Sequence, residues 1–252
     1  MESNYDMFSV QFRQGECNVI SKHRVEPLIA LTQPQSPITE SYRTIRTNLQ
    51  FASIDTETKI ILVTSSGPSE GKTSTTCNLA IVSAQAGKRV LVIDADLRKP
   101  QVHLRFQVSN LTGLSTVLTR ERGLEESIIA ARIENLFLMP SGPIPPNPSE
   151  MLSSKGFREL LNRCTEEYDL VIVDTPPILA VSDALIVSQS VDGALLVVDA
   201  QGTNRKAAMQ AKLALEQVNA RLLGVILNRV KKNRGEGYYY NYSYSSATTA
   251  KM

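Results

Sequence analysis

The residue types best suited to chemistry stand just after a short apolar run. Ile60 to Val63 is followed by Thr64-Ser-Ser-Gly-Pro-Ser-Glu-Gly-Lys-Thr-Ser74, and then by a segment with helical periodicity. In the loop Gly67-Pro68-Ser69-Glu70-Gly71 the small Gly67, Ser69 and Gly71 let backbone N–H groups turn inward onto phosphate oxygens, helped by the partial positive charge at a helix N-terminus. Gly71-Lys72-Thr73 reads as the end of a phosphate-binding P-loop. Lys72 is placed to reach the β and γ phosphates of ATP, Thr73 to offer its hydroxyl to Mg²⁺, and Ser74 to close the loop. Ser66 stands where the first glycine of the pattern is usual.

Carboxylates follow at matching places. The run Val90 to Ile93 ends in Asp94-Ala-Asp96-Leu-Arg98, and a period of two points Asp94 and Asp96 to the same side. Two such groups repel and raise one pKa unless a cation is near. A Mg²⁺-nucleotide resolves that cost and gives each a role: one on the metal's water shell, one to accept a proton from an attacking hydroxyl. Asp94 is the preferred metal-side group and a candidate base. Asp174 ends the run Leu170 to Val173 in the position that holds Mg²⁺ through a water, and Pro176 and Pro177 stiffen the loop after it. Asp183 reads as a helix cap rather than a reacting group. Asn228 and Arg229 end the final run, where a nucleotide base would lie; Asn228 is either an adenine partner or a turn former.

Six apolar runs, Ile60 to Val63, Val90 to Ile93, Leu136 to Leu138, Leu170 to Val173, Ala194 to Val198 and Leu222 to Leu227, alternate with helical segments at Thr73 to Ala86, Ser149 to Glu167, Ser182 to Ser188 and Asn204 to Asn219. Runs apolar on both faces suit parallel strands covered on each side. The expected fold is therefore α/β, a doubly wound, mostly parallel sheet with helices on both faces and the ligand at the carboxyl ends of the strands. A further helix is expected from Thr39 as N-cap, with Ile38, Tyr42, Ile45 and Leu49 turned to the core and Glu40, Arg43 and Arg46 beside them. Pro140 to Pro148 reads as a stiff surface loop. Residues 1–36 read as a mobile or loosely docked arm, 37–230 as the folded domain, and 231–252 as a disordered tail.

That tail holds five of the chain's eight tyrosines, Tyr238, Tyr239, Tyr240, Tyr242 and Tyr244. Net charge is +2 over 252 residues; the tail carries +3 and the arm −1, so the body is neutral. A neutral body argues against nucleic acid as the main partner. No apolar run approaches the ~20 residues of a membrane span, and the start lacks the order of a signal peptide, so a cytoplasmic protein is expected. Cys17, Cys77 and Cys164 form no metal-binding spacing and read as reduced thiols. His23 and His103 are isolated.

In these motifs the chain resembles the bacterial tyrosine kinases of capsule and exopolysaccharide loci, in their stand-alone cytoplasmic form. The resemblance rests on Gly67-Pro-Ser-Glu-Gly-Lys-Thr73, Asp94-x-Asp96-x-Arg98, Asp174-Thr-Pro-Pro177, Gly142-Pro-Ile-Pro-Pro-Asn-Pro148, the tyrosine cluster and Glu40-x-x-Arg43-x-x-Arg46. It implies an ATP-dependent protein-tyrosine autokinase in which Lys72, Asp94, Asp96 and Asp174 are essential. It further implies a homo-oligomeric ring held through Glu40, Arg43 and Arg46, with each tail phosphorylated in a neighbour's site. A separate membrane-anchored polysaccharide co-polymerase would activate the kinase at the inner face of the membrane, and a cognate tyrosine phosphatase would reverse it. Two other readings share the core. A positioning ATPase would carry its signature lysine at position 67, which is Gly67. An inert scaffold with an adhesive tail would not need Lys72, Thr73 and three aspartates.

Overall fold

The computed structural model describes residues 27–52 and 58–231. Cys17, His23 and the tail tyrosines, Tyr238, Tyr239, Tyr240, Tyr242 and Tyr244, lie outside the described residues. In chain order the elements are α1 (Ile29–Thr32), α2 (Pro37–Ala52), β1 (Ile60–Ser65), α3 (Lys72–Ala84), β2 (Val90–Asp94), α4 (Val102–Phe106), α5 (Leu114–Leu118), β3 (Ile129–Ala130), β4 (Leu136–Met139), α6 (Pro148–Ser153), α7 (Lys155–Glu167), β5 (Leu170–Asp174), α8 (Asp183–Ser188), β6 (Gly193–Asp199), α9 (Arg205–Gln217) and β7 (Leu222–Asn228). The strands form one sheet in the order β3-β4-β2-β5-β1-β6-β7. Every pair is parallel except β3 with β4. The six expected strands are present, and β3 is an addition too short for any periodicity to reveal.

Period two divides each inner strand between two cores. Ile60 and Leu62 pack with Phe157, Leu161, Ala184, Val187 and Leu215 of α7, α8 and α9 on one face. Ile61 and Val63 pack on the other with Leu79, Ile81 and Val102 of α3 and α4, where Tyr42, Ile45 and Leu49 of α2 close the layer. Because α2 and α1 cover its outer side, α3 is buried nearly all round, which is why its sequence lacks a polar face.

Four local expectations need correction. Ile38, expected to turn to the core with Tyr42, Ile45 and Leu49, is exposed at the first turn of α2. The helix expected from Thr39 begins at Pro37, and Ser36 Oγ accepts from the Thr39 N–H at 3.1 Å, so Ser36 is the residue that caps it. The Thr39 hydroxyl instead turns back to Gln33 O at 2.8 Å. Residues 27–36 are docked: Leu28 and Ala30 are buried, and Ala30 N donates to Asn78 Oδ1 of α3 at 2.9 Å. The single helix expected over Ser149 to Glu167 is two, broken where Ser154 takes an extended backbone and its Oγ accepts from Phe157 N at 3.1 Å.

Loss of such a cap costs about 1 kcal/mol. Ser154→Ala should therefore lower the unfolding free energy by that amount, read as a lower urea midpoint at unchanged m-value; a neutral result would mean that α7 starts without its cap.

Candidate functional site

The loop from Ser66 to Gly71 joins β1 to α3, and its shape is held by side chains that arrive from far along the chain. The Glu70 carboxylate accepts from Ser66 N at 3.0 Å and from Ser66 Oγ at 2.7 and 2.9 Å. It also accepts from Thr203 Oγ1 at 2.6 Å. Ser66, the departure from the usual glycine, is thus a buried anchor of the loop. The Glu70 side chain is used inside the loop, leaving only its backbone to face a ligand. Ser69 and Gly71 adopt φ of 63° and 97°. A Cβ at Gly71 would collide with the Asn228 amide, so both backbone angle and space require glycine there.

Asn228 lies over this loop from the end of β7. Its Nδ2 donates to Glu70 O at 2.9 Å and its Oδ1 accepts from Arg229 N at 2.9 Å. The Arg229 guanidinium bonds Asp199 Oδ2 at 2.7 Å. The Asp199 carboxyl is held below its usual range, first by the Gln201 N–H and then by Arg229. In the ligand-free chain Asn228 braces the loop, and Arg229 ties the ends of β6 and β7.

At the mouth of the loop, Lys72 Nζ lies 3.0 Å from Asp96 Oδ2 and 3.4 Å from Asp174 Oδ2, and donates to Thr73 Oγ1 at 3.2 Å. Thr73 Oγ1 donates to Asp174 Oδ2 at 2.6 Å, and Thr76 Oγ1 to Asp174 Oδ1 at 3.2 Å. Asp94 sits deeper, with Oδ2 accepting from Gln101 N and Val102 N, both at 3.0 Å, and Oδ1 from Asp96 N at 3.2 Å. Asp96 Oδ1 accepts from Lys99 N at 3.0 Å. Register places Asp94 directly beside Asp174. Sequence reading thus brought together Lys72, Thr73, Asp94, Asp96 and Asp174 correctly as neighbours. It missed Thr76, whose place one turn beyond Thr73 on α3 was a readable signal, and Thr203, for which no local signal exists.

Burial of two adjacent carboxylates sets the electrostatics. The Asp94 carboxyl is pushed up to about 7, first by burial and next by the Asp174 charge, against the Val102 N–H. Asp174 is also raised by burial, with Lys72 and the Thr73 hydroxyl pulling the other way. Burial alone would lower Lys72, but Asp174 and Asp96 outweigh it and hold the ammonium above its usual value. Cys77 and Cys164 are free and buried; burial pushes the first well up and the second to about 12, so neither is a thiolate nucleophile near neutral pH.

Asp183 is not a side-chain cap. Its buried carboxylate receives Arg98 Nε at 2.8 Å and Nη2 at 3.1 Å, and the Ser149 hydroxyl at 2.6 Å. Arg98 of the Asp-x-Asp-x-Arg sequence thus fastens the loop after β2 to α6 and α8. On α2, Arg43 Nη1 pairs with Glu40 Oε2 at 2.9 Å, and Arg43 Nη2 donates to Pro34 O at 2.9 Å. Arg46 Nη1 donates to Val82 O of α3 at 2.9 Å. All three groups have partners within the chain.

Among the described residues no three Asp, Glu, His or Cys side chains come close enough to cage a metal. Mg²⁺ seldom uses such a cage; it takes one or two carboxylates with phosphate oxygens and water. The Thr73 hydroxyl and the under-neutralised Asp94 and Asp174 are hard oxygen donors that fit this habit.

A phosphate-binding loop after β1, with acidic ends on β2 and β5 of a doubly wound parallel sheet, defines a P-loop NTPase fold. A family model described as an AAA domain matches residues 58–222. The chain is 48% identical over 214 residues to the tyrosine-protein kinase YwqD of Bacillus subtilis, covering 84% of this chain and 90% of the relative. It is 40% identical over 235 residues to the Escherichia coli tyrosine-protein kinase etk, spanning 93% of this chain and 31% of that longer protein. The solved kinase domain of etk superposes with a TM-score of 0.80 at 39% identity, covering 92% of this chain and 88% of the domain. The septum site-determining protein MinD of Pyrococcus horikoshii, complexed with Mg-ADP, matches at a TM-score of 0.60 and 26% identity, with 70% of this chain and 72% of that one covered. The chain belongs to the bacterial tyrosine-protein kinases. Its likeness to the septum site-determining protein MinD is weaker and reflects the common core. No helix of the described residues is long and apolar enough to cross a membrane.

A carboxyl whose pKa rises on folding binds its proton more tightly in the native state, so stability is fully present below the unfolded value near ~3.9 and falls as pH rises through the folded one. Ligand-free protein should accordingly lose stability between about pH 4 and about pH 7 on account of Asp94, with Asp174 acting in the same direction. Asp94→Asn should reduce the difference between the calorimetric Tm at pH 5.5 and at pH 8. An undiminished difference would place the pH dependence elsewhere.

Proposed function

We propose that the chain is an ATP-dependent protein-tyrosine autokinase acting on its own tyrosine cluster. The observation that carries this reading is the Lys72 ammonium held between Asp96 and Asp174 at the end of the loop between β1 and α3. That arrangement concentrates on one point what phosphoryl transfer requires, positioning and charge neutralisation. Gly67, Pro68, Ser69, Glu70, Gly71 and Ser74 contribute backbone to the phosphates, and Lys72 neutralises them. Thr73, Asp174 and Asp94 would hold Mg²⁺, which would supply positive charge against the phosphates when bound.

The acceptor is the phenol of Tyr238, Tyr239, Tyr240, Tyr242 or Tyr244. Its oxygen bonds to the γ-phosphorus as the bond to the ADP oxygen breaks, and its proton must leave with it, because a phenol of pKa ~10 is neutral at pH 7. Asp96, with one oxygen on Lys72 and one on the Lys99 N–H, is the group we assign to receive that proton. Asp94 suits the metal side, because a cation beside it removes the penalty of its burial and with it its basicity. Asp94 thus keeps the metal-side role expected from the sequence, and the role of base goes to Asp96.

Transfer between subunits follows if Glu40 and Arg43 exchange their in-chain pair for partners across a ring contact, with Arg46 supporting α2 from α3. The capsule or exopolysaccharide role, the membrane-anchored co-polymerase that recruits the chain to the inner face of the membrane, and the opposing phosphatase belong to the same reading.

Lys72→Met should abolish phosphotyrosine on incubation with ATP and Mg²⁺ while leaving the circular dichroism unchanged; persistent phosphotyrosine in the folded variant would sink the assignment. Asp96→Asn should lower kcat by ~10²-fold or more, the usual range for general base catalysis, with nucleotide affinity little changed, whereas Asp94→Asn should weaken Mg²⁺-nucleotide binding. The route is read by mixing Lys72→Met protein with a variant in which all five tail tyrosines are phenylalanine. Phosphate on the Lys72→Met tail means transfer between subunits, and its absence from proven mixed oligomers would exclude it.

A further inference from the structure

The two edges of the sheet are protected very differently. At one side β3 is only two residues long, and a short edge strand offers little to pair with. At the other, β7 runs Leu222-Leu-Gly-Val-Ile-Leu-Asn228 with no charge and no proline. Its only irregularity is a register shift at its start, beside Ala194 and Leu195. Among the described residues nothing pairs with its outer edge.

The second half of β7 is also exposed on one face. Val225 and Leu227 pair with Leu196 and Val198 of β6, whose side chains belong to the core beneath α7, α8 and α9. Yet Val225 is 49% and Leu227 61% exposed. An open, uncharged edge with alternate apolar side chains in water is a template for another strand.

The chain itself supplies a matching sequence a few residues further on. From Tyr238 it reads Tyr-Tyr-Tyr-Asn-Tyr-Ser-Tyr-Ser. At a period of two, Tyr238, Tyr240, Tyr242 and Tyr244 fall on one face, and Tyr239, Asn241, Ser243 and Ser245 on the other. That is the pattern of a strand with one apolar and one polar face, in a residue type favoured in strands. Between lie Asn233, Gly235 and Gly237, which are turn formers, and Arg229 has already left the strand line at φ 56°.

We propose that residues 238–244 fold back on the β7 edge of their own chain as an antiparallel eighth strand, and that phosphorylation on the even-numbered tyrosines releases them. Directly opposed residues of an antiparallel pair share a face. A register with Tyr238 opposite Leu227 sets Tyr240 opposite Val225 and lays the aromatic face on the exposed aliphatic one. The short connection over 229–237 favours the chain's own edge over a neighbour's, because it fixes a high effective concentration. Each phosphate adds about −1.5 to −2 charges, which cannot rest on that apolar surface. The edge is thus a resting place that competes with any active site for the same tyrosines. Docking stands independently of the kinase reading; only the release step rests on it.

Hydrogen exchange followed by mass spectrometry on the full, unphosphorylated chain, at two protein concentrations, tests this. Amides of 238–244 should exchange at least about tenfold more slowly than in the free peptide, the mark of a structured segment, at a rate independent of concentration. Val225→Lys with Leu227→Lys should return them to the free-peptide rate while the inner strands stay protected. Parity gives a second arm that leaves the folded domain untouched. Tyr238→Glu with Tyr240→Glu should abolish the protection, and Asn241→Glu with Ser243→Glu should leave it. Free-peptide rates in the unaltered chain, protection that grows with concentration, protection that survives the lysine pair, or equal effects of even and odd substitutions would each overturn the proposal. Absence of kinase activity would not alter these rates, so the two readings fail separately.

Discussion

Asp94, Asp96 and Asp174 meet where β2 and β5 end, and two of the three are wholly buried. Charge of one sign cannot gather in low dielectric unless something answers it, and most of the site is that answer. Lys72 provides the full positive charge, while the Thr73 and Thr76 hydroxyls and the N–H groups of Asp96, Lys99, Gln101 and Val102 provide dipoles. The dipoles fix geometry without cancelling charge, which leaves Asp94 poised to about 7. A divalent cation bound beside a polyphosphate would complete what one lysine begins. The same excess of negative charge that burial penalises is what a bound Mg²⁺-nucleotide would relieve.

Holding such a cluster requires rigid surroundings, and the fold provides them by spending polar side chains on the frame. Glu70 and Thr203 lock the phosphate loop on one side, Asn228 on another. Arg98, Asp183 and Ser149 join three segments behind Asp96. Arg98 is partly exposed while Asp183 is fully buried, so the guanidinium's second donor and the Ser149 hydroxyl matter as much as its charge: they satisfy a carboxylate that solvent does not reach. These are positioning residues, and their number explains how an irregular loop keeps one shape at a strand terminus.

What the sequence made legible were features that recur locally. The inner strands are apolar on both faces, so their runs stood out, and each acidic group at a run's end pointed to the sheet's carboxyl edge. Lys72 and Thr73 were visible because a glycine and a helix start bracket them. What escaped depends on contacts between distant positions. Nothing near Glu70 signals that Thr203 will meet it, and Arg98 gives no hint of Asp183. Asn228 and Arg229 stood out as the end of the last apolar run, but the bond of Asn228 to Glu70 O depends on how β7 packs beside Gly71. The break between α6 and α7 had a signal in Ser154 before Lys155-Gly156, masked by continuous periodicity on either side. Within residues 27–36 only Leu28 and Ala30 are buried apolar side chains, too short a pattern to separate from an arm.

Helix α2 shows how a surface can be complete in one chain and still be available to another. The Glu40–Arg43 pair is exposed, and such pairs contribute only about 0–1 kcal/mol, so exchanging it for partners across a subunit boundary costs little. Arg46 is different in kind. Its bond to Val82 O binds α2 to the C-terminal end of α3, and α3 carries Lys72 and Thr73 at its opposite end. Tyr42, Ile45 and Leu49 reinforce that contact from the apolar side. An assembly that grips Glu40 and Arg43 would therefore take hold of a helix already packed rigidly on the one that presents the phosphate-binding lysine, so the geometry of a ring and the geometry of the site would be set by a single helix pair.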